Sequence, residues 1–134
     1  MLEQEIDPKL LDEIKGRQKW ITYKEKEILY EDYTNLKGDE IAIRVPIFSH
    51  LEFQIGKKDM LLIVDLSNSY ASKAAVKAFT EAGKITEEIF AKTAVLGITG
   101  VKKILLNAVN RLTNVNAKAF SDIESAKNYL IDSL

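Results

Sequence analysis

The sequence contains no cysteine, which excludes disulfides, thiolate nucleophiles and cysteine-ligated zinc. It contains a single histidine, His50. Without cysteine, a zinc site at His50 would have to use carboxylates, and none pairs with it at helical spacing. No metal and no cofactor are expected. A Ser-His-acid triad is also disfavoured, because the Gly-x-Ser-x-Gly elbow that would present the serine is missing. No apolar run approaches the ~20 residues that span a bilayer, so no transmembrane segment is expected. Internal repeats and low-complexity linkers are absent. The opening MLEQEIDPKL has neither a basic stretch nor an apolar one, so it does not read as a signal peptide and a cytoplasmic location is expected. A formal net charge of -1 provides no global field to recruit nucleic acid.

The chain that remains is ordinary in bulk. Its 134 residues suit one domain, and a hydrophobic content of 46% is enough for a core. The charges are unevenly placed. Residues 1–40 hold eleven acids and seven bases, a local net of -4, whereas no acid occurs from Ile89 to Ser121, which carries Lys92, Lys102, Lys103, Arg111 and Lys118. Such asymmetry is common on solvated surfaces, and it also suits orientation of a partner or of a second copy.

Asp7-Pro8 reads as a helix start, an acid cap followed by proline at the first helical position, with Leu10, Leu11 and Ile14 on one face and Gly16 as the stop. KWITYKEKEILYEDY reads as two strands joined by a tight turn near Lys24–Lys26. Residues 39–57 carry two patterns. Ile41, Ile43, Val45 and Ile47 alternate as in a strand, whereas Ile41, Val45, Phe48, Leu51 and Ile55 follow a helical face. The helical pattern persists to Ile55, so a helix is expected, with Pro46 as the place for a kink. MLLIVDL at 60–66 and TAVLGI at 93–98 are short apolar runs typical of strands buried on both faces. Between them, Ala74, Ala75, Ala78, Phe79 and Ala82 predict a helix ending near Gly83. After Gly100, the spacing of Val101, Ile104, Leu105, Ala108, Val109 and Leu112 predicts a helix with those six residues as its buried stripe. Leu106 falls off that stripe and, with Tyr129 and Leu2, is a candidate for a partner surface. AKAF at 117–120 predicts a third short strand. Asp122 or Ser121 then caps a last helix with Ile123, Ala126, Leu130 and Leu134 inward. The predicted class is therefore α/β: a mixed, mainly parallel sheet of four to five strands flanked by helices, preceded by a short N-terminal helix.

Open α/β sheets bind ligands beyond the carboxyl ends of their strands. Three segments collect there: Asp65–Tyr70, Gly97–Gly100 and Phe120–Asp122. Asp65 has two readings, a base or metal ligand, or an acceptor that sets its turn. Gly97-x-x-Gly100 lacks the Gly-Lys-Ser/Thr end of a Walker loop. It also follows a strand, whereas the nucleic-acid-clamping GxxG loop of a KH domain joins two helices; the third reading is structural, with Gly97 permitting a close approach or an unusual turn and Gly100 opening the helix. No catalytic residues are assigned. The candidate ligand- or anion-binding residues are Asp65, Ser67, Asn68, Thr99, Gly100, Lys102 and Lys103, at a helix start whose free N–H groups favour anions. Ser67, Ser69 and Ser72 are candidates for phosphorylation or for helix capping.

Three stretches, LLIVDLSNSYASKAAVKAF, AVLGITGVKKILLNAVNRLTNVNAKAFSDIESAKNYLIDS and ILYEDYTNLKGDE, resemble the SpoIIAA-like proteins. These are a bacterial family related to STAS domains and compared with the CRAL-TRIO lipid-binding fold. The resemblance spans roughly residues 19–133 and leaves 1–18 as an N-terminal helical extension to a domain of residues 19–134. It implies a helix over 39–57 and a non-catalytic binding or regulatory module acting through a protein partner or as a homodimer. The CRAL-TRIO comparison implies, as an alternative, a carrier of a small apolar or lipid-like ligand, peripheral to a membrane. The Asp-Ser-Ser-Gly phosphorylation loop of the sporulation relatives is replaced here by DLSNSYAS.

Overall fold

In the computed structural model, which describes residues 3–132, helix α1 (Pro8–Arg17) starts where Asp7 accepts a hydrogen bond from the Lys9 N–H at 2.9 Å, with Pro8 at its first position. Strands β1 (Gln18–Tyr23) and β2 (Lys26–Asp32) follow, antiparallel, with Gln18 opposite Glu31 and Tyr23 opposite Lys26. Lys24 and Glu25 form the turn, both at positive φ (48° and 69°), which matches the twist of a two-residue hairpin. Helix α2 (Gly38–Ile55) resolves the double pattern of 39–57 as a helix that contains Pro46. Strand β3 (Met60–Asp65), helix α3 (Lys73–Thr86), strand β4 (Phe90–Leu96), helix α4 (Lys102–Leu112), strand β5 (Lys118–Phe120) and helix α5 (Ile123–Ile131) complete the chain.

The five strands lie in the order β1-β2-β3-β4-β5, and all neighbours after the first pair are parallel. Strand alternation divides the core into two layers. On one side, Leu29, Leu62, Val64 and Val95 pack with Leu11 and Ile14 of α1 and with residues of α2, α3 and α4. On the other, Ile28, Leu61, Ile63, Ala94 and Leu96 are covered by Ala126 and Leu130 of α5. The N-terminal helix thus docks on its own domain through Leu11 and Ile14. Among the described residues, no helix is long and apolar enough to cross a membrane.

Three expectations need correction. Helix α3 does not stop near Gly83 but continues to Thr86, and β4 begins at Phe90 rather than Thr93. Gly83 is tolerated inside the helix because it lies against Thr113 and Val115, where a Cβ would come within 3.0 Å of the Thr113 methyl. The larger correction concerns α4. Leu105 and Val109 are buried as expected, but Val101, Ile104 and Leu112 are 67%, 69% and 55% exposed. The inward face is instead set by Lys102, Leu105 and Val109, with Leu106 packed against the core. Tyr129 packs in the α5 layer against Phe120. Leu2 and Leu134 lie outside the described residues.

Candidate functional site

The strand ends bring part of the expected set together. Asp65 closes β3. One carboxylate oxygen accepts the Tyr30 hydroxyl at 2.5 Å, and the other accepts the Ser67 N–H at 2.9 Å. Burial and the Asp65 carboxylate together push the Tyr30 hydroxyl well above its ordinary pKa. Ser67 sits directly under Gly97. A Cβ on Gly97 would fall 2.4 Å from the Ser67 nitrogen, and its φ is +80°. Both the close approach and the left-handed backbone therefore call for glycine at that corner. Lys102 extends across the same junction, and its ammonium donates to the Leu66 carbonyl at 3.0 Å. The side chain is buried, so its charge serves the join between β3 and α4. Thr99, Gly100, Lys103 and Asn68 are exposed. The Thr99 and Gly100 carbonyls accept the Lys102 and Lys103 N–H groups. Asn68 bonds to Asn35.

The serines are also engaged locally. The Ser69 hydroxyl is buried and donates to the Leu66 carbonyl at 2.6 Å. Ser72 caps α3 by accepting the Ala75 N–H at 3.1 Å. Ser67 is half-buried. Asp122 caps α5, accepting the Ser125 N–H and hydroxyl, and these bonds hold its carboxyl below the usual range. Among the described residues, no group of three or more acids and histidines is placed to hold a metal. His50, on α2, faces a groove of about 570 Å³ between α2 and α3, and its Nε2 is buried without a partner.

A second site lies deeper, and the sequence reading did not anticipate it. Between the sheet and helices α2, α3 and α4 is a cavity of about 90 Å³. Most of its wall is apolar, including Leu62, Val64, Phe79, Leu105, Leu106 and Val109. Two carboxyl side chains enter that wall: Glu31 from β2, 2% exposed, and Glu52 from α2, 5% exposed. They are hydrogen-bonded to each other, and Glu31 also accepts the Gln18 side-chain amide at 3.1 Å. Burial raises the pKa of both, and the neighbouring Glu31 charge holds the Glu52 proton to still higher pH.

A signal for this pair is present in the chain. Glu31 continues the inward alternation from Leu29 on β2, which Tyr33 extends just past the strand, and Glu52 stands seven residues after Val45 on the inward face of α2. An acid at an inward phase in two different elements is the pattern to look for.

No family model matches the sequence. No curated protein matches it either. Among solved structures, the fold is similar to the crystal structure of an uncharacterised DUF3478-family protein from Shewanella loihica PV-4 with a SpoIIAA-like fold. The two are 15% identical, the match covers 84% of this chain and 91% of that one, and the TM-score is 0.58. The chain has a SpoIIAA-like fold. In this fold the parallel strand ends carry turns and caps, while the polar groups without such duties line the cavity under α4.

Proposed function

We propose that the protein is a non-catalytic binding module of the STAS type that docks a protein partner through the outer face of α4. One observation carries this reading: Val101, Ile104 and Leu112 stand out to solvent at spacings of three and eight residues, one side of a helix. Their flanks carry Lys103 and Arg111, in the segment from Ile89 to Ser121 that contains no acid. A partner with an apolar ridge bordered by acids complements that face. The absence of catalysis is supported by the strand ends, where Asp65 and Asp122 are committed to turns and caps.

The test is differential capture. Wild type and Ile104→Glu, matched in melting temperature, are used as bait in host extract, and the oligomeric state of each is measured by light scattering. A partner, or a second copy, held by the wild type and lost by Ile104→Glu is expected. Binding that ignores the substitution refutes the reading. Co-sedimentation with lipid vesicles in place of protein capture would move the protein to a membrane-peripheral role.

The cavity supports a second reading, a holder of a small, largely apolar ligand between the helices and the sheet. Its volume of about 90 Å³ accommodates roughly six to nine water-sized groups. That suits a compact molecule better than an acyl chain.

A further inference from the structure

Among the described residues, nine polar or charged side chains are buried. Ser69, Thr80, Thr86, Lys102 and Thr113 each donate to a backbone carbonyl, at 2.6 to 3.0 Å. They are closed within the protein. The cavity wall differs. Ser49, Thr93 and Tyr33 are 8%, 5% and 2% exposed and line it, yet no side-chain hydrogen bond joins any of them to another described residue. Glu52, equally buried, has only the Glu31 carboxyl as a partner. Among the described residues the one fully buried side-chain atom without a partner is His50 Nε2, outside this cavity; the hydroxyls of the cavity wall instead border its open space, where a solute can take up their bonds.

The charge of the wall narrows the identity of that solute. Three carboxyl groups, Glu31, Glu52 and Glu87, line the cavity, and no lysine, arginine or histidine does. Glu87 is engaged by Asn114, whose N–H it accepts at 3.1 Å. Among the described residues no basic side chain on this wall meets Glu31 and Glu52, so burial favours their protonated forms and a bound cation would offset that burial. A carboxylic acid or a phosphate would bring like charge to this wall. A neutral apolar molecule would leave the polar groups unpaired. A primary ammonium brings three donors and one positive charge, and its apolar body would lie against Leu62, Leu105, Leu106 and Val109.

We propose that the cavity binds a compact organic amine, its ammonium held by Glu31 and Glu52 and its apolar body by the sheet and α4. The proposal rests on reading the cavity as a ligand site, and its test separates the two ideas. Benzylamine, benzyl alcohol and benzoate share one apolar body and differ in the head group. Each is titrated into the intact protein and followed by amide NMR shifts, with melting temperature as a second readout. Benzylamine is expected to shift cavity-wall signals such as Thr93 and Leu106 saturably, to bind at least tenfold more tightly than the alcohol, and to lose tenfold or more in Glu52→Gln. Benzoate is expected not to bind. If the alcohol or benzoate binds as tightly as the amine, the ammonium assignment fails and the ligand site stands. If none of the three shifts the wall signals, both ideas fail. The comparison among the three compounds is made on wild type, so it remains decisive even if Glu52→Gln does not fold.

Discussion

The two sides of the sheet are built differently. Under α5 the layer is Ile28, Leu61, Ile63, Ala94, Leu96, Ala126 and Leu130, all apolar, five of them fully buried. Under α2, α3 and α4 the layer has its own apolar residues, but it also takes in Glu31, Ser49, Glu52 and Thr93 around a cavity. Dense apolar packing is the cheaper way to stabilise a domain, and polar groups left unpaired inside it cost free energy. A single small helix is enough to close one side. The other side uses four helices and still keeps a polar-walled space, which stability alone does not require. The difference sets a closed, wholly apolar α5 side against an α4 side that keeps polar groups around a cavity.

The largest expected effect that separates the sides is truncation on the scaffold. Leu130→Ala should lower unfolding free energy by about 2–5 kcal/mol, measured by urea denaturation. A loss under about 1 kcal/mol would mean that the α5 layer is not the closed side. Next is the acid pair. Glu31 and Glu52 hold protons more tightly when folded than unfolded. Their stabilising contribution is therefore complete below the ordinary glutamate value of 4.5 and is lost as pH rises through the elevated folded values. Wild type should lose stability above pH ~5, by up to about 1.4 kcal/mol per pH unit for each proton involved. Glu52→Gln should flatten that slope. A flat wild-type profile between pH ~5 and ~8 would place the pair's proton elsewhere.

Smaller effects sharpen the contrast inside the α4 side. Thr113 donates to the Val109 carbonyl at 2.7 Å, so Thr113→Val should cost about 1 kcal/mol. Thr93→Val removes a hydroxyl with no hydrogen-bond partner among the described residues and should be within about 0.5 kcal/mol of wild type, or more stable. Equal losses in the two variants would show that Thr93 is also closed internally. The smallest stability change is expected at Ile104→Glu, within about 0.5 kcal/mol because the side chain is already exposed, while partner docking is lost.

Much of the architecture is legible in residues with local reasons. Asp7-Pro8 marks a helix start by backbone chemistry alone. The apolar runs at Met60–Leu66 and Thr93–Ile98 announce strands covered on both faces, and the order of elements after residue 60 implies their parallel arrangement. The face of α4 was not legible for a physical reason. Val101, Ile104, Leu105, Leu106, Ala108, Val109 and Leu112 wrap so much of the helix that two overlapping stripes fit the sequence, sharing Leu105 and Val109. The rotation between them is fixed by Lys102, whose ammonium reaches the Leu66 carbonyl 36 residues away in the chain. The acid pair escaped for a related reason. Glu31 and Glu52 are unremarkable residues in a chain with 20 acids, and only their phase against Leu29 and Val45 sets them apart.

By itself, the sequence determined the class of fold, the capped start of α1 and the two buried strands after residue 60, because each follows from periodicity, capping or backbone sterics within a short stretch. The tertiary structure decided which side of α4 meets water, which serines and threonines are closed on carbonyls, and that two glutamates far apart in the chain meet beside a cavity. Those outcomes depend on the rotation of helices against the sheet, which local sequence leaves free and packing fixes.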